Sequence, residues 1–455
     1  MSGTTVLWLR ADLRLHEQRA LYAACAPGTR HVLPVVCLPD VQACSPWGFT
    51  RLGLHRRAWL ACTIQNLSKA LQDKGQQLLI LQQPAVRALP ALARAAGARR
   101  VVCEAIAAPE EETEVAALRV AGLQVHTIWH SSLLDPHSLP WPVAQLPPVF
   151  TAFRQAVERA AVQPPAPLPL PVPGHLPPWP KRVPGQSPCD QAALLADFAG
   201  APVPADARSA FPYADAALHP GAAGEAGALA HLAQYLARGL PHRYQRTRND
   251  LLGLDYSSKW SPWLATGALS PRLALARLRQ FEAEHGAHEG SYGLWFELLW
   301  RDYFRFLHLR HGGALYRARG LGPARATPHD AAAFAAWCAG RTGQPLVDAA
   351  MRELAATGYL SNRLRQVVAS YLIHDLRCDW RAGAAWFERQ LLDYDVYSNQ
   401  GNWLYIAGRG TDPRGGRRFD PLRQSALYDP DGTYQRLWGT APVPVAGQRG
   451  AMMLP

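Results

Sequence analysis

The sequence predicts an α/β half followed by an all-helical half. Three observations carry that expectation. Short apolar, β-branched runs alternate with helical patterns over the first 135 residues. Eleven prolines crowd residues 164–188. From residue 226 on, apolar residues recur at helical spacing and strand patterns are absent.

The run 5–9, Thr-Val-Leu-Trp-Leu, opens as a buried strand, and 31–38 repeats the pattern. Residues 52–72 read as a long amphipathic helix. Runs at 77–81, 100–103 and 124–129 add three strands, with helical patterns at 86–95 and 110–121 between them. Strands alternating with helices at this spacing pair in parallel, with helices covering both faces. Residues 1–135 are therefore expected to form a doubly wound, Rossmann-like, five-stranded parallel sheet. Proline fixes φ and lacks a backbone donor. Residues 136–225, which hold the proline cluster, accordingly read as an extended surface linker. Residues 226–455 form the helical domain, with candidate helices at 228–240, 271–285, 293–311, 331–339, 347–357, 360–375 and 384–392. No internal repeat is visible. Fewer than twenty residues follow Trp438, so no long regulatory tail is expected.

At 455 residues the chain can bury a large core. Its net charge of +12 is uneven. Residues 1–225 carry 19 basic against 16 acidic side chains, and residues 226–455 carry 28 against 19. A basic helical half suits a polyanionic partner. Lys259 is the one lysine after residue 182. The eight cysteines form no Cys-x-x-Cys and no zinc-like cluster with histidine, so they read as free thiols of a reducing cytoplasm. No apolar run approaches a membrane span. The expectation is a soluble, cytoplasmic monomer without metal.

Chemistry concentrates in four blocks. The most informative is Asp393-Tyr-Asp395-Val-Tyr-Ser-Asn399-Gln-Gly-Asn-Trp403. It reads as a helix end entering a tight loop where two carboxylates converge. Alone, it could be an acidic N-cap beside a core tryptophan. Upstream lie Tyr359-Leu-Ser-Asn362-Arg363-Leu-Arg365, Trp295-Phe-Glu297-Leu-Leu-Trp300-Arg301, and Tyr256-Ser257-Ser258-Lys259-Trp260-Ser261-Pro262. The serine block offers hydroxyls and backbone N–H groups to phosphate oxygens, and Pro262 can open a helix whose dipole adds positive charge. Glu297 and Trp300 stand three apart and share a helix face. No Gly-rich dinucleotide fingerprint or Walker motif is present.

In this order and spacing the four blocks closely resemble the photolyase/cryptochrome family. Tyr405 and Gly408-Arg-Gly-Thr-Asp-Pro413 look most like its DASH branch. Trp8-Leu-Arg10-Ala-Asp12-Leu-Arg14-Leu15 is similar to the family's opening strand and turn, although Glu17-Gln18 stand where the family has Asp-Asn. The resemblance implies one FAD per chain. Tyr244, Ser257, Ser258, Lys259, Ser261 and Arg301 would hold its phosphate end. Asn362, Arg365, Asp393, Asp395 and Asn399 would surround the isoalloxazine, with Asp395 on N3–H and Asn399 facing N5. Trp403 and Trp380 correspond to the inner and middle tryptophans of an electron-transfer chain. The outer one, expected near 325–327, is missing. Glu297, Trp300 and Tyr405 would line a pocket for a flipped cyclobutane pyrimidine dimer, with Glu297 also near the cofactor. An antenna, methenyltetrahydrofolate or a deazaflavin, is implied for the α/β domain. Pro109-Glu110-Glu111-Glu112 lies where a folate-binding glutamate is expected, and could equally be an acidic first helical turn.

The resemblance implies a carbon–carbon lyase that splits dimers in damaged, single-stranded DNA under blue light. A dimer is already poorly stacked, and single strands lower the cost of flipping it further. The alternative is a blue-light receptor or nucleic-acid-binding regulator that keeps the flavin without repairing.

Overall fold

The computed structural model describes residues 3–172, 174–213, 223–323 and 328–439. Five strands, β1 (Thr4–Leu9), β2 (His31–Cys37), β3 (Leu79–Leu81), β4 (Arg100–Glu104) and β5 (Gln124–Ile128), pair in parallel in the order β3-β2-β1-β4-β5. Side chains alternate across β1. Leu7 and Leu9 pack with α1 (Arg19–Ala24) and α2 (Leu54–Gln72), while Val6 and Trp8 pack with α3 (Ala85–Ala96) and α4 (Pro109–Val120). Both faces of the sheet are covered, as the unbroken apolar runs require.

The segment 136–225 is not a plain linker. It contains α5 (Phe150–Arg159) and α6 (Pro188–Ala199). A capping box starts α6, Ser187 accepting from the Asp190 N–H and Asp190 from the Ser187 N–H. Gln191 then fixes the helix, accepting from Ser68 and donating to the Leu78 carbonyl. Residues flanking the prolines supplied helical signals that the proline count hid. The described residues between these helices are irregular, as expected.

The helical half comprises α7 (Gly224–Ala237), α8 (Tyr244–Thr247), α9 (Ser261–Thr266), α10 (Pro271–His285), α11 (Glu289–His311), α12 (Ala331–Cys338), α13 (Pro345–Thr357), α14 (Asn362–His374), α15 (Trp380–Gln390), α16 (Val396–Ala407), α17 (Pro421–Tyr428) and α18 (Thr433–Leu437). One element corrects the sequence reading. Residues 396–403 belong to α16, not to a tight loop. Asp395 is its N-cap and accepts from the Ser398 N–H at 2.8 Å. Close approach needs glycine here. A Cβ at Gly401 would lie 2.1 Å from the Phe304 ring of α11, and one at Gly383 of α15 would lie 2.2 Å from Trp403.

The two halves are joined by buried polar contacts. Asp12 and His130 are both fully buried and lie 3.2 Å apart. Arg14 donates to His130 Nδ1 at 3.1 Å. Arginine only donates, so Nε2 carries the proton and donates to Asp12. Glu17, at φ 49°, accepts from Arg14, Arg19, Ser270 and Arg272. The longer Glu17 and Gln18 therefore do more than shape a turn. Glu17 reaches α10, and Gln18 holds Asp12 at 2.9 Å. At the same seam Gly267 has φ +71°, and a Cβ there would lie 2.0 Å from the Ala11 carbonyl.

Glu17→Ala would strand Arg14 and Arg272 without a counter-charge. The expected loss is about 3–5 kcal/mol, read as a lower denaturant midpoint. A loss within 0.5 kcal/mol, the range of ordinary surface changes, would show that the seam does not depend on Glu17.

Candidate cofactor and substrate site

The turn between α15 and α16 brings two carboxylates to the side of α14. Asp393 Oδ2 accepts from Arg365 at 2.8 Å, while Asp393 Oδ1 is buried without a hydrogen-bond partner. Asp395 forms a fork with Arg305, 2.7 Å at Oδ2 and 3.4 Å at Oδ1. Burial pushes the Asp395 carboxyl up, but Arg305 and Arg301 overcome it and hold it well below the usual carboxylate range. One turn into α16, Asn399 donates its amide N–H to the Ala384 carbonyl at 3.0 Å. That bond turns its side-chain oxygen the other way, leaving an acceptor free.

These groups share a cavity of about 80 Å³, lined by Asn362, Arg365, Asp393, Asp395, Asn399 and Trp403 among others. The five residues that the resemblance set round the ring thus meet, together with Trp403, from α14, from the turn before α16 and from α16 itself. The cavity is large enough for a ring edge and not for a dinucleotide. An orphaned carboxylate oxygen and a free amide oxygen suit the N–H edge of a flavin.

The serine block lies apart from that cavity, joined to it through Tyr359. Lys259 adopts φ 56°. Its ammonium is buried, has no hydrogen-bond partner, and sits 3.1 Å from the Tyr256 ring centre and 5.0 Å from that of Tyr359. Arg365 lies over the same Tyr359 ring at 5.6 Å. Burial lowers the Lys259 pKa well below its ordinary value. An unpartnered buried ammonium fits an anion such as a pyrophosphate. Ser257 and Ser258 are half-buried beside it, and Ser261 opens α9. Tyr244 is buried below Arg248, 5.7 Å from ring centre to guanidinium.

Arg301 departs from the expected phosphate role. It donates to the carbonyls of Ser131 and Leu264 at 2.5 and 2.9 Å. Its fork ties α11 to the α/β half. Nor is Glu297 a free acceptor or a neighbour of the flavin-like cavity. It pairs with Arg248 at 2.6 Å, and burial raises its pKa while Arg248 opposes the rise.

Trp300 and Tyr405 do meet, edge to face at 6.1 Å. They line a cavity of about 50 Å³ together with Phe150, Thr411, Asp412 and Arg414. Arg417 fixes the Tyr405 hydroxyl at 2.8 Å. Glu297 stands one turn away on α11 and does not line this cavity.

Trp403 and Trp380 are both buried in one apolar cluster. Trp380 donates to the Ala318 carbonyl at 3.0 Å. Trp337 stands edge-on to Trp403 at 6.5 Å. Residues 325–327, where the resemblance implies an outer tryptophan, fall outside the described residues.

The largest of these cavities, about 750 Å³, was not foreseen in this extent. It opens at the C-terminal ends of β1, β2 and β4, where the strand order reverses and α/β folds seat ligands. Arg10, Leu38, Glu104, Glu110 and Glu111 line one side, and Trp380, Tyr394, Asp395 and Asn399 the other. Tyr394, Asp395 and Asn399 also line the 80 Å³ cavity and so form a shared wall. Of the acidic run 110–112, Glu110 and Glu111 reach the cavity. The sequence reading missed Glu104, whose Oε2 is buried without a partner, and Arg305. Glu104 could have been found from its place at the last residue of a switch-point strand.

Residues 5–173 match the family model described as DNA photolyase, and residues 294–443 match the FAD binding domain of DNA photolyase. A cryptochrome DASH from Gloeobacter violaceus is 40% identical over 96% of this chain and 86% of its own. One from Xenopus laevis is 39% identical over 96% and 82%. The crystal structure of a Synechocystis cryptochrome superposes with a TM-score of 0.86 at 37% identity, covering 96% of this chain and 88% of that one. A class III photolyase from Agrobacterium tumefaciens superposes at 0.76 with 29% identity, covering 96% and 86%.

If Asp393 and Lys259 face the cofactor, Asp393→Ala and Lys259→Ala should each lower FAD retained per chain severalfold. Flavin absorbance of the purified variants, with circular dichroism confirming the fold, checks this. Full flavin content in both would remove these residues from the site.

Proposed function

The chain belongs to the photolyase/cryptochrome family, and we propose that it is a blue-light-driven lyase that splits cyclobutane pyrimidine dimers, preferring single-stranded DNA. The observation that carries the proposal is the meeting of Trp300 and Tyr405 at one cavity, with α16 running from Tyr405 back to Asn399 and Asp395. One helix thereby connects a stacking site to a cofactor site.

The residues described above would hold FAD, which in its reduced form and under blue light would supply an electron for ring opening and recover it afterwards. The protein's part is to bind, orient and exclude water. Asp393 and Asn399 would present acceptors to the ring's N–H edge; Asp395, expected at N3–H, has both oxygens engaged by Arg305 and one also by the Ser398 N–H, so the unpartnered Asp393 Oδ1 is the better acceptor. Lys259 would neutralise phosphate. Trp300 and Tyr405 offer aromatic faces on which the flipped bases stack, a contact worth about 1–3 kcal/mol per base. Glu297, released from or sharing Arg248, accepts from a base edge. The excess of basic residues after 226 supplies phosphate contacts. The 750 Å³ cavity, with its polar Arg10, Glu104 and Glu110 side, suits an antenna such as a folate, one wall away from the flavin.

The test is to illuminate chemically reduced protein with dimer-containing oligonucleotides. Wild type should restore the pyrimidines, faster on single strands than on duplex. Glu297→Ala should weaken dimer binding by about 1–3 kcal/mol with FAD retained. Trp403→Phe should lose photoreduction of oxidised FAD yet still repair when pre-reduced. Binding without light-driven repair would favour the receptor reading instead.

A further inference from the structure

Trp300 does not stand free in its cavity. Phe150, the first residue of α5, stacks on it with ring centres 3.8 Å apart and planes 12° from parallel. The tryptophan is partly exposed, whereas Phe150 is 4% exposed. Phe150 is itself held on its edges, by Phe296 at 5.1 Å and 83° and by Tyr303 at 5.7 Å and 68°. Aromatic contacts on two edges hold the ring in place against α11, and stacked that closely it shields the indole face it meets.

We infer that Phe150 is the positioning residue of the stacking site, fixing the plane of Trp300 and leaving one indole face for a pyrimidine. This inference rests on the proposed dimer pocket and adds a residue from outside the helical half. A tryptophan side chain has two torsions, and ordering them on binding costs affinity. A platform already ordered by Phe150 avoids that cost. It also excludes a geometry in which the guest slides between Trp300 and α5. The stack is present in the structure without substrate, and the edge-to-face contacts of Phe150 with Phe296 and Tyr303 are of the kind that adds stability beyond area burial. Phe150, Trp300 and Tyr405 line the same cavity, which places the platform and its backing at the point of use.

The experiment compares Phe150→Leu, Phe150→Tyr and Trp300→Ala in the FAD-loaded protein. Affinity for a single-stranded dimer oligonucleotide is measured by anisotropy, and indole order by near-ultraviolet circular dichroism. Phe150→Leu should weaken binding about tenfold and reduce the indole signal, with FAD content close to wild type and the thermal midpoint lowered by a few degrees, as expected of a core substitution. Phe150→Tyr should restore both, because the ring and its stack are kept. Should Phe150→Leu bind like wild type while Trp300→Ala loses binding, Phe150 is only core and the inference fails. Tighter binding by Phe150→Leu would likewise overturn it, since the ring would then be an obstruction. If Phe150→Leu loses FAD or melts early and Phe150→Tyr fails to restore binding, the ring is structural and the inference fails too. If Trp300→Ala itself binds normally, the dimer pocket, and with it the parent reading, is misplaced.

Discussion

The ion pair between Arg305 of α11 and Asp395 at the start of α16 governs the rest of the site. Both side chains are nearly buried, 3% and 11% exposed, and bonded through two oxygens. Asp395 does two jobs at once. Its oxygens cap α16, and they bind the helix that carries Glu297 and Trp300. Because the pair fixes where α16 begins, it fixes Asn399 one turn in, Trp403 two turns in and Tyr405 beyond. Removing one partner would leave the other charged in a dry place, so the pair is hard to lose singly. The same helix, α11, anchors the α/β half. Asp302 accepts from the Leu133 and Leu134 N–H groups at 2.8 and 2.7 Å, and Arg301 donates to the Ser131 carbonyl. Three consecutive turns of α11 thus hold the Glu297–Trp300 surface and a domain seam.

This arrangement explains why two cavities of different character share a wall. The switch point of the sheet opens toward α15 and α16, and Tyr394, Asp395 and Asn399 face both sides of the partition. Two ligands seated there would be separated by one layer of side chains without touching.

Much of the fold was legible in the sequence, and the reasons are specific. All five strands and the helix at Pro271–His285 follow from plain apolar periodicity. α16 was read as a loop because Ser398, Asn399, Gly401 and Asn402 are poor helix formers, and its helicity comes from the Asp395 cap and from packing against Phe304 and Gly383. α5 and α6 were hidden by the prolines between them. In the site, residues clustered in short motifs were found: Asn362, Arg365, Asp393, Asp395, Asn399 and Trp403 do share a cavity. Residues whose role depends on distant partners were not. Arg305 meets Asp395 across 90 positions, and Phe150 meets Trp300 across 150. Arg301 was placed at the phosphates because its neighbours in sequence face the site, but a helix turns each successive side chain by about 100°, and Arg301 points to the seam.

The most direct measurement is a crystal structure of the protein with FAD and a single-stranded oligonucleotide bearing one cyclobutane dimer. The flavin's N–H edge is expected against Asp393 and the amide oxygen of Asn399, and the dimer on the open face of Trp300, opposite Phe150, with Tyr405 at its side. A flavin ring away from Asp393 and Asn399, or a dimer bound without touching Trp300, would contradict it.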